Sequence, residues 1–154
     1  MVTIRPKTTI KMRMSATGET HARTSVKVRD LESIIDEPIE RDGTNQGLTP
    51  TETLMAALVG CTNVITQRIA HHMGVKVSGM DVNLNCQFNR LGVMLKEEIE
   101  RPFDDVIMDI DIATDATAEQ MEKIKTDLRK YCPIAKVVRG NGATITENWN
   151  VKPL

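Results

Sequence analysis

The chain has 154 residues, a formal net charge of −1 and 27% charged residues, so it has the size of one domain and no net pull toward nucleic acid or an anionic membrane. Aromatic residues make up only 3% against nine methionines, which argues against a base-stacking platform and predicts a core of Ile, Val, Leu, Met and Ala. No apolar run approaches the roughly 20 residues that span a bilayer, and the opening Met1-Val-Thr-Ile-Arg-Pro lacks the apolar stretch of a secretory leader. The expectation is a soluble, cytoplasmic protein with a single domain over residues 1–154 and no nucleic-acid or membrane partner.

In the first third, Thr8–Met14 and Ala22–Val28 carry β-branched residues alternating with polar ones, with Thr17-Gly18 as the turn between them. An N-terminal meander of strands is expected. The stretch from Glu37 to Pro50 is rich in turn formers and reads as a loop. Thr49-Pro50 then opens a helix, because Thr caps free amides and Pro at the first helical position gives up no hydrogen bond. The helix should run to His72 or Met73 and stop at Gly74. Leu54, Leu58, Cys61, Ile65 and Ile69 fall on one stripe, while Met55, Ala56, Ala57 and Val59 fill the other faces. A helix apolar all round predicts a buried one.

From Met80 to Phe88 the alternation is clear, with Met80, Val82, Leu84, Cys86 and Phe88 on one side. Residues 105–113 repeat it with Val106, Met108, Ile110 and Ile112, so the two segments should pair antiparallel. Residues 90–104 connect them, and the charged part Lys96-Glu-Glu-Ile-Glu-Arg reads as a solvated excursion. Thr117 and Gln120 form a capping box for a helix with Met121, Ile124, Leu128 and Tyr131 on one face. Cys132 precedes Pro133, so the chain leaves the helical region there and restarts a short helix; residues 143–151 read as a last strand.

Three cysteines, Cys61, Cys86 and Cys132, are too few and too far apart for a secreted disulfide framework. Cys132 stands at a helix N-cap, where free amides and the dipole favour a thiolate and lower its pKa. The bland alternative is a cysteine that fills a helix junction. Cys61 lies in an apolar helix, where desolvation alone raises the pKa, so reactivity there needs a cation from elsewhere. Cys86 alternates with core residues and reads as core. Metal binding by Cys61, His71, His72 and Cys132 is disfavoured, because adjacent histidines diverge by about 100° on a helix and no C-x-x-C or H-x-x-x-H pair is present. The histidines read as a solvated helix end.

Taken together, Asp42-Gly-Thr-Asn-Gln-Gly-Leu-Thr-Pro-Thr-Glu-Thr-Leu-Met-Ala-Ala-Leu-Val-Gly-Cys61 and Lys130-Tyr-Cys-Pro-Ile-Ala-Lys136 resemble the two signatures of the OsmC/Ohr family, in the same order. The resemblance implies an α+β fold with curved antiparallel sheets around two long buried helices, in an intertwined homodimer with active sites at the interface. It also implies thiol peroxidase chemistry without a cofactor or metal. Cys61 attacks a hydroperoxide and becomes a sulfenic acid, Cys132 condenses with it, and a dithiol reduces the disulfide. The family's cation is an N-terminal arginine paired with the glutamate of the helix start. By position these are Arg41, or alternatively Arg23, and Glu52, although the hydroperoxide-specific branch carries its glutamate where this chain has Thr51.

Along one helix, Glu52 and Cys61 lie nine residues, or about 13.5 Å, apart on opposite faces, so Glu52 is expected to act on the partner's thiol. Apolar surroundings lined by Met55 and Leu58 suit an organic hydroperoxide better than hydrogen peroxide. The competing readings are a non-enzymatic ligand-binding or redox-sensing protein of the same fold and, more remotely, a Cys/His hydrolase. No histidine is placed by sequence near either thiol.

Overall fold

A computed structural model describes residues 8–154. The opening hexapeptide, in which no leader is expected, lies outside these residues. The chain forms two compact units, Met1–Leu54 and Met55–Leu154.

The first unit holds strands β1 (Ser15–Gly18), β2 (Arg23–Val28) and β3 (Leu31–Asp36), paired antiparallel in the order β1-β2-β3. This is the expected meander, but its first strand is displaced. Thr8–Met14 takes no regular structure and is exposed, whereas Thr17 and Gly18, expected as the turn, lie inside β1 opposite Ser25 and Thr24. The chain reverses over residues 19–22 instead. There the Thr20 hydroxyl accepts hydrogen bonds from the amides of Ala22 and Arg23, and the Glu19 amide donates to Arg23 O. A hydroxyl-stabilised turn outweighs the propensity of an unpaired β-branched run.

The loop after β3 is organised by Asp36, which is fully enclosed. Its carboxylate accepts hydrogen bonds from the amides of Thr44 and Gln46 and from the Thr44 hydroxyl. Two glycines let the loop close down. A Cβ at Gly43 would sit 1.7 Å from Glu37 O, and one at Gly47 would sit 2.2 Å from Ile34 O.

Helix α1 (Pro50–His72) begins and ends as expected, with Gly74 in the left-handed region at φ 69° to stop it. Its buried stripe differs from the expected one. Met55, Leu58, Thr62, Thr66 and Ala70 are buried, Cys61, Ile65 and Ile69 are half-buried, and Leu54 is 36% exposed. Two threonines take core positions, and for one of them the cost of burial is met because a helical hydroxyl can bond back to the preceding turn. Thr62 does so, donating to Leu58 O. The helix is therefore not buried all round: Ala56, Ala57, Gly60 and Val64 are exposed.

In the second unit, β4 (Val77–Phe88) and β5 (Phe103–Thr114) pair antiparallel with the expected inward faces. Residues 89–102 make a largely exposed, turn-rich connection with Val93 and Leu95 open to solvent, whereas Phe103, expected in the connection, is the buried first residue of β5. Helix α2 (Ala118–Tyr131) starts at the reciprocal Thr117–Gln120 capping box, and α3 (Pro133–Gly140) follows after Cys132 alone. Met121, Ile124 and Leu128 are buried as expected, whereas Tyr131 is 55% exposed.

The last strand, β6 (Thr144–Lys152), lies beside β5 in parallel, so this sheet is mixed and not antiparallel throughout. Two helices lie between β5 and β6, and a connection of that length is what a parallel neighbour requires. The main core joins Met55 and Leu58 of α1, Val106, Met108 and Ile110 of β5, Leu128 of α2 and Ala135 and Val138 of α3.

Candidate active site

Cys132 is the single residue at which α2 turns into α3. Its backbone is extended (φ −68°, ψ 110°), as the following proline demands. Its amide still donates to Leu128 O at 2.9 Å, closing α2. Its sulfur accepts from the Ala135 amide at 3.4 Å, capping α3. The cap forms as the sequence predicts, but its effect on acidity is overruled. Cys132 is 0% exposed. Burial, followed by the hydrogen bond to Cys61, pushes its pKa up to about 11, while the Ala135 amide pulls only weakly the other way. At neutral pH Cys132 is a thiol, not a thiolate.

The sulfurs of Cys132 and Cys61, 71 residues apart in sequence, lie 3.0 Å apart, with the Cys132 thiol donating to the Cys61 sulfur. Neither is in a disulfide. Cys61 is half-buried and packs against the core that encloses Cys132, beside Thr62, whose hydroxyl reaches Met108 Sδ at 3.9 Å. Met55 and Leu58 belong to the same core. Cys86 packs against that core from β4, and burial raises its pKa. The structure thus brings together two of the three cysteines.

Glu52, Arg41 and Arg23 belong to the first unit. Glu52 completes a capping box at the start of α1: its carboxylate accepts from the Thr49 amide at 2.8 Å, while the Thr49 hydroxyl accepts from the Glu52 amide at 3.3 Å. These bonds, and more weakly the charge of Arg41, hold its pKa below the usual carboxylate range. The Thr49-x-x-Glu52 spacing was the readable signal for that box. Arg41 stands in ionic contact with Glu37, without the alignment of a hydrogen bond. Arg23 bonds Glu19, Thr44 and Gln46. His71 and His72 are exposed at the end of α1, and no cluster of metal-ligating side chains occurs among the described residues.

One residue the sequence reading passed over is Glu147 on β6. It occupies an inward position between Ile145 and Trp149, with its side chain only 2% exposed and an arginine on each oxygen. A carboxylate at an apolar beat of a strand's alternation was the available signal.

The profile of the OsmC-like protein family matches residues 43–148, and the chain belongs to that family. No curated protein matches it. Among solved structures it is similar to an OsmC-like protein from Mycoplasma pneumoniae, with a TM-score of 0.77 at 13% identity, covering 93% of this chain and 98% of that one. It is also similar to an organic hydroperoxide resistance protein from Elizabethkingia anophelis, with a TM-score of 0.64 at 19% identity over 96% and 99% of the two chains. A third is the organic hydroperoxide resistance protein OhrB of Bacillus subtilis, with a TM-score of 0.56 at 15% identity over 93% and 98%. At these identities the likeness establishes the α+β fold.

Proposed function

We propose that the protein is a thiol-dependent peroxidase that reduces organic hydroperoxides through Cys61 and Cys132. The observation that carries this reading is the 3.0 Å contact between an accessible thiol and an enclosed one held protonated beside it. Two of the similar structures described above are named for organic hydroperoxide resistance, which agrees with it.

In the proposed cycle the Cys61 thiolate attacks the terminal oxygen of ROOH. The O–O bond breaks, the alkoxide takes a proton and leaves as ROH, and Cys61 becomes a sulfenic acid. The Cys132 sulfur then attacks the sulfenic sulfur, a disulfide forms, and the expelled hydroxide leaves as water with the Cys132 proton. A dithiol reductant restores both thiols by two exchange steps, becoming a disulfide itself. The high pKa of Cys132 suits the resolving role: it keeps a proton available and leaves peroxide attack to Cys61.

Met55 and Leu58, enclosed in the core around the thiols, supply the apolar backing behind the site of the organic substituent. Arg41, or alternatively Arg23, supplies the positive charge beside the reacting Cys61 sulfur and the departing oxygen, oriented by Glu52 from a second copy of the chain. The exposed small and apolar residues of α1, Ala56, Ala57, Gly60 and Val64, suit such a homodimer. Arg41→Met should lower kcat/KM by about 100-fold, the typical loss when one charge-stabilising donor is removed.

Reduced protein mixed with cumene hydroperoxide and dithiothreitol tests the reading. Turnover should occur and vanish in Cys61→Ser, and Cys132→Ser given the hydroperoxide without dithiothreitol should stop at a trappable sulfenic acid. A non-catalytic ligand-binding or redox-sensing role is favoured by one feature. A cavity of about 570 Å³ opens between α1 and α2, lined by Ile65, Ile69, Arg68, His72, Lys123 and Tyr131 among others. Ligand binding there, with no turnover by any dithiol, would establish that role instead.

A further inference from the structure

Glu147 is an acidic side chain in a position built for an apolar one. Its register partner on β5 is Met108, a core residue, and the two share the inward face of the sheet. Enclosing a carboxylate is costly unless charge partners and hydrogen bonds offset the loss of water. Glu147 has both, one on each oxygen. Arg129 Nε reaches Oε2 at 3.2 Å, and Arg139 Nη2 reaches Oε1 at 2.9 Å.

Where those arginines come from gives the arrangement its meaning. Arg129 lies in the last turn of α2 and Arg139 in the last turn of α3, so the two helices that meet at Cys132 are tied to the same carboxylate. Between them stands one extended residue, the only free joint of the elbow. An elbow of two short helices pivots at that joint unless both arms are held, and a pivot moves the Cys132 sulfur. The sulfurs at 3.0 Å need approach by only about 1 Å to reach bonding distance, so a small pivot decides whether they meet.

We propose that Glu147 is a positioning residue for Cys132: through Arg129 and Arg139 it locks the α2–α3 elbow onto β6 and holds the Cys132 sulfur over Cys61. The inference builds on the thiol pair of the proposed function, but it concerns the closure of the disulfide whatever oxidant drives it. Glu147 touches no reacting atom. Its contribution is to the effective concentration of one thiol at the other.

The test uses the full chain with Cys86→Ala, which removes the third thiol. Reduced and oxidised dithiothreitol set the poise: protein dithiol and cyclic disulfide exchange to give protein disulfide and free dithiol. Acid quenching, alkylation and mass spectrometry give the fraction of Cys61–Cys132 disulfide. Glu147→Gln keeps the shape and loses the charge. It should lower the equilibrium constant for closure by about tenfold or more, equivalent to about 30 mV for a two-electron couple. Arg129→Gln and Arg139→Gln should each shift it in the same direction by less, and Glu147→Asp should recover part of the loss. A folded Glu147→Gln protein whose poise stays within about twofold of the parent overturns the proposal. If that variant does not fold, the two arginine variants decide, and an unchanged poise in both overturns it.

No hydroperoxide enters this measurement. A parent that closes its disulfide yet never turns over cumene hydroperoxide refutes the peroxidase reading and leaves the clamp standing. In a parent that does turn over, Glu147→Gln should leave sulfenic acid formation within about twofold and slow condensation by about tenfold, whereas general loosening of the fold would slow both.

Discussion

Cys132 is a residue whose position and chemistry pull in opposite directions. The Cys-Pro pair placed it correctly at the start of α3, because the conformational restriction before proline and the cap are local rules. The direction of its pKa was not legible, because it depends on an enclosure assembled from α1, β5 and α3, far away in sequence. With the folded pKa raised above the ordinary thiol value of 9.0, the proton on Cys132 favours the folded state fully below pH 9.0, and that contribution is lost as pH rises toward about 11. Iodoacetamide at neutral pH should therefore label Cys61, which is partly accessible, well before Cys132. Site-resolved mass spectrometry reads the order, and prior labelling of Cys132 would contradict it. Thr66 offers a second prediction. It is fully buried and its hydroxyl has no hydrogen-bond partner. Thr66→Val keeps the shape and removes the unsatisfied group, so it should raise stability by about 1 kcal/mol, measured by urea unfolding.

Among the elements, α1 was legible at both ends and misread along its sides. Thr49-Pro50 and Gly74 are local signals, but which stripe faces the core is settled by what packs there. The buried side includes Thr62 and Thr66 in place of Leu54. The β4–β5 pairing followed from strict alternation, whereas the parallel docking of β6 is a choice of sheet edge that no strand-length pattern encodes. The loop after β3 read as irregular, and it is irregular by design: Asp36 and the two close-packed glycines fix it. Gly47→Ala has no room, with Ile34 O 2.2 Å from the new carbon, and should lower the unfolding midpoint by several degrees in a thermal melt. Hydrogen bonds, that of the Thr44 hydroxyl foremost, hold the Asp36 carboxyl below its ordinary value of 3.8. Its contribution is thus present above that pH and lost as pH falls through the lower folded value. Asp36→Asn should flatten the acid limb of the stability profile.

At the scale of the molecule, the family was readable because two short signatures stand in the right order, and the profile match over residues 43–148 bears this out. Assembly is a different matter, since a surface shows what could be covered and a sequence cannot show what covers it. The open face of α1 makes the proposed homodimer testable: the thermal midpoint should rise with protein concentration, as it does when folding and association are linked. Sedimentation should give twice the chain mass of 17.2 kDa.

The 71 residues between the touching sulfurs have one more consequence. A bond there would cross-link α1 to the far end of α2 and shut a loop of nearly half the chain. Restricting the unfolded chain by a loop of that length stabilises the native state by about 4 kcal/mol. Oxidation would then make the molecule harder to melt, and each reduction would return it to a looser resting form, so that thermal resistance itself would report the redox state of the cell.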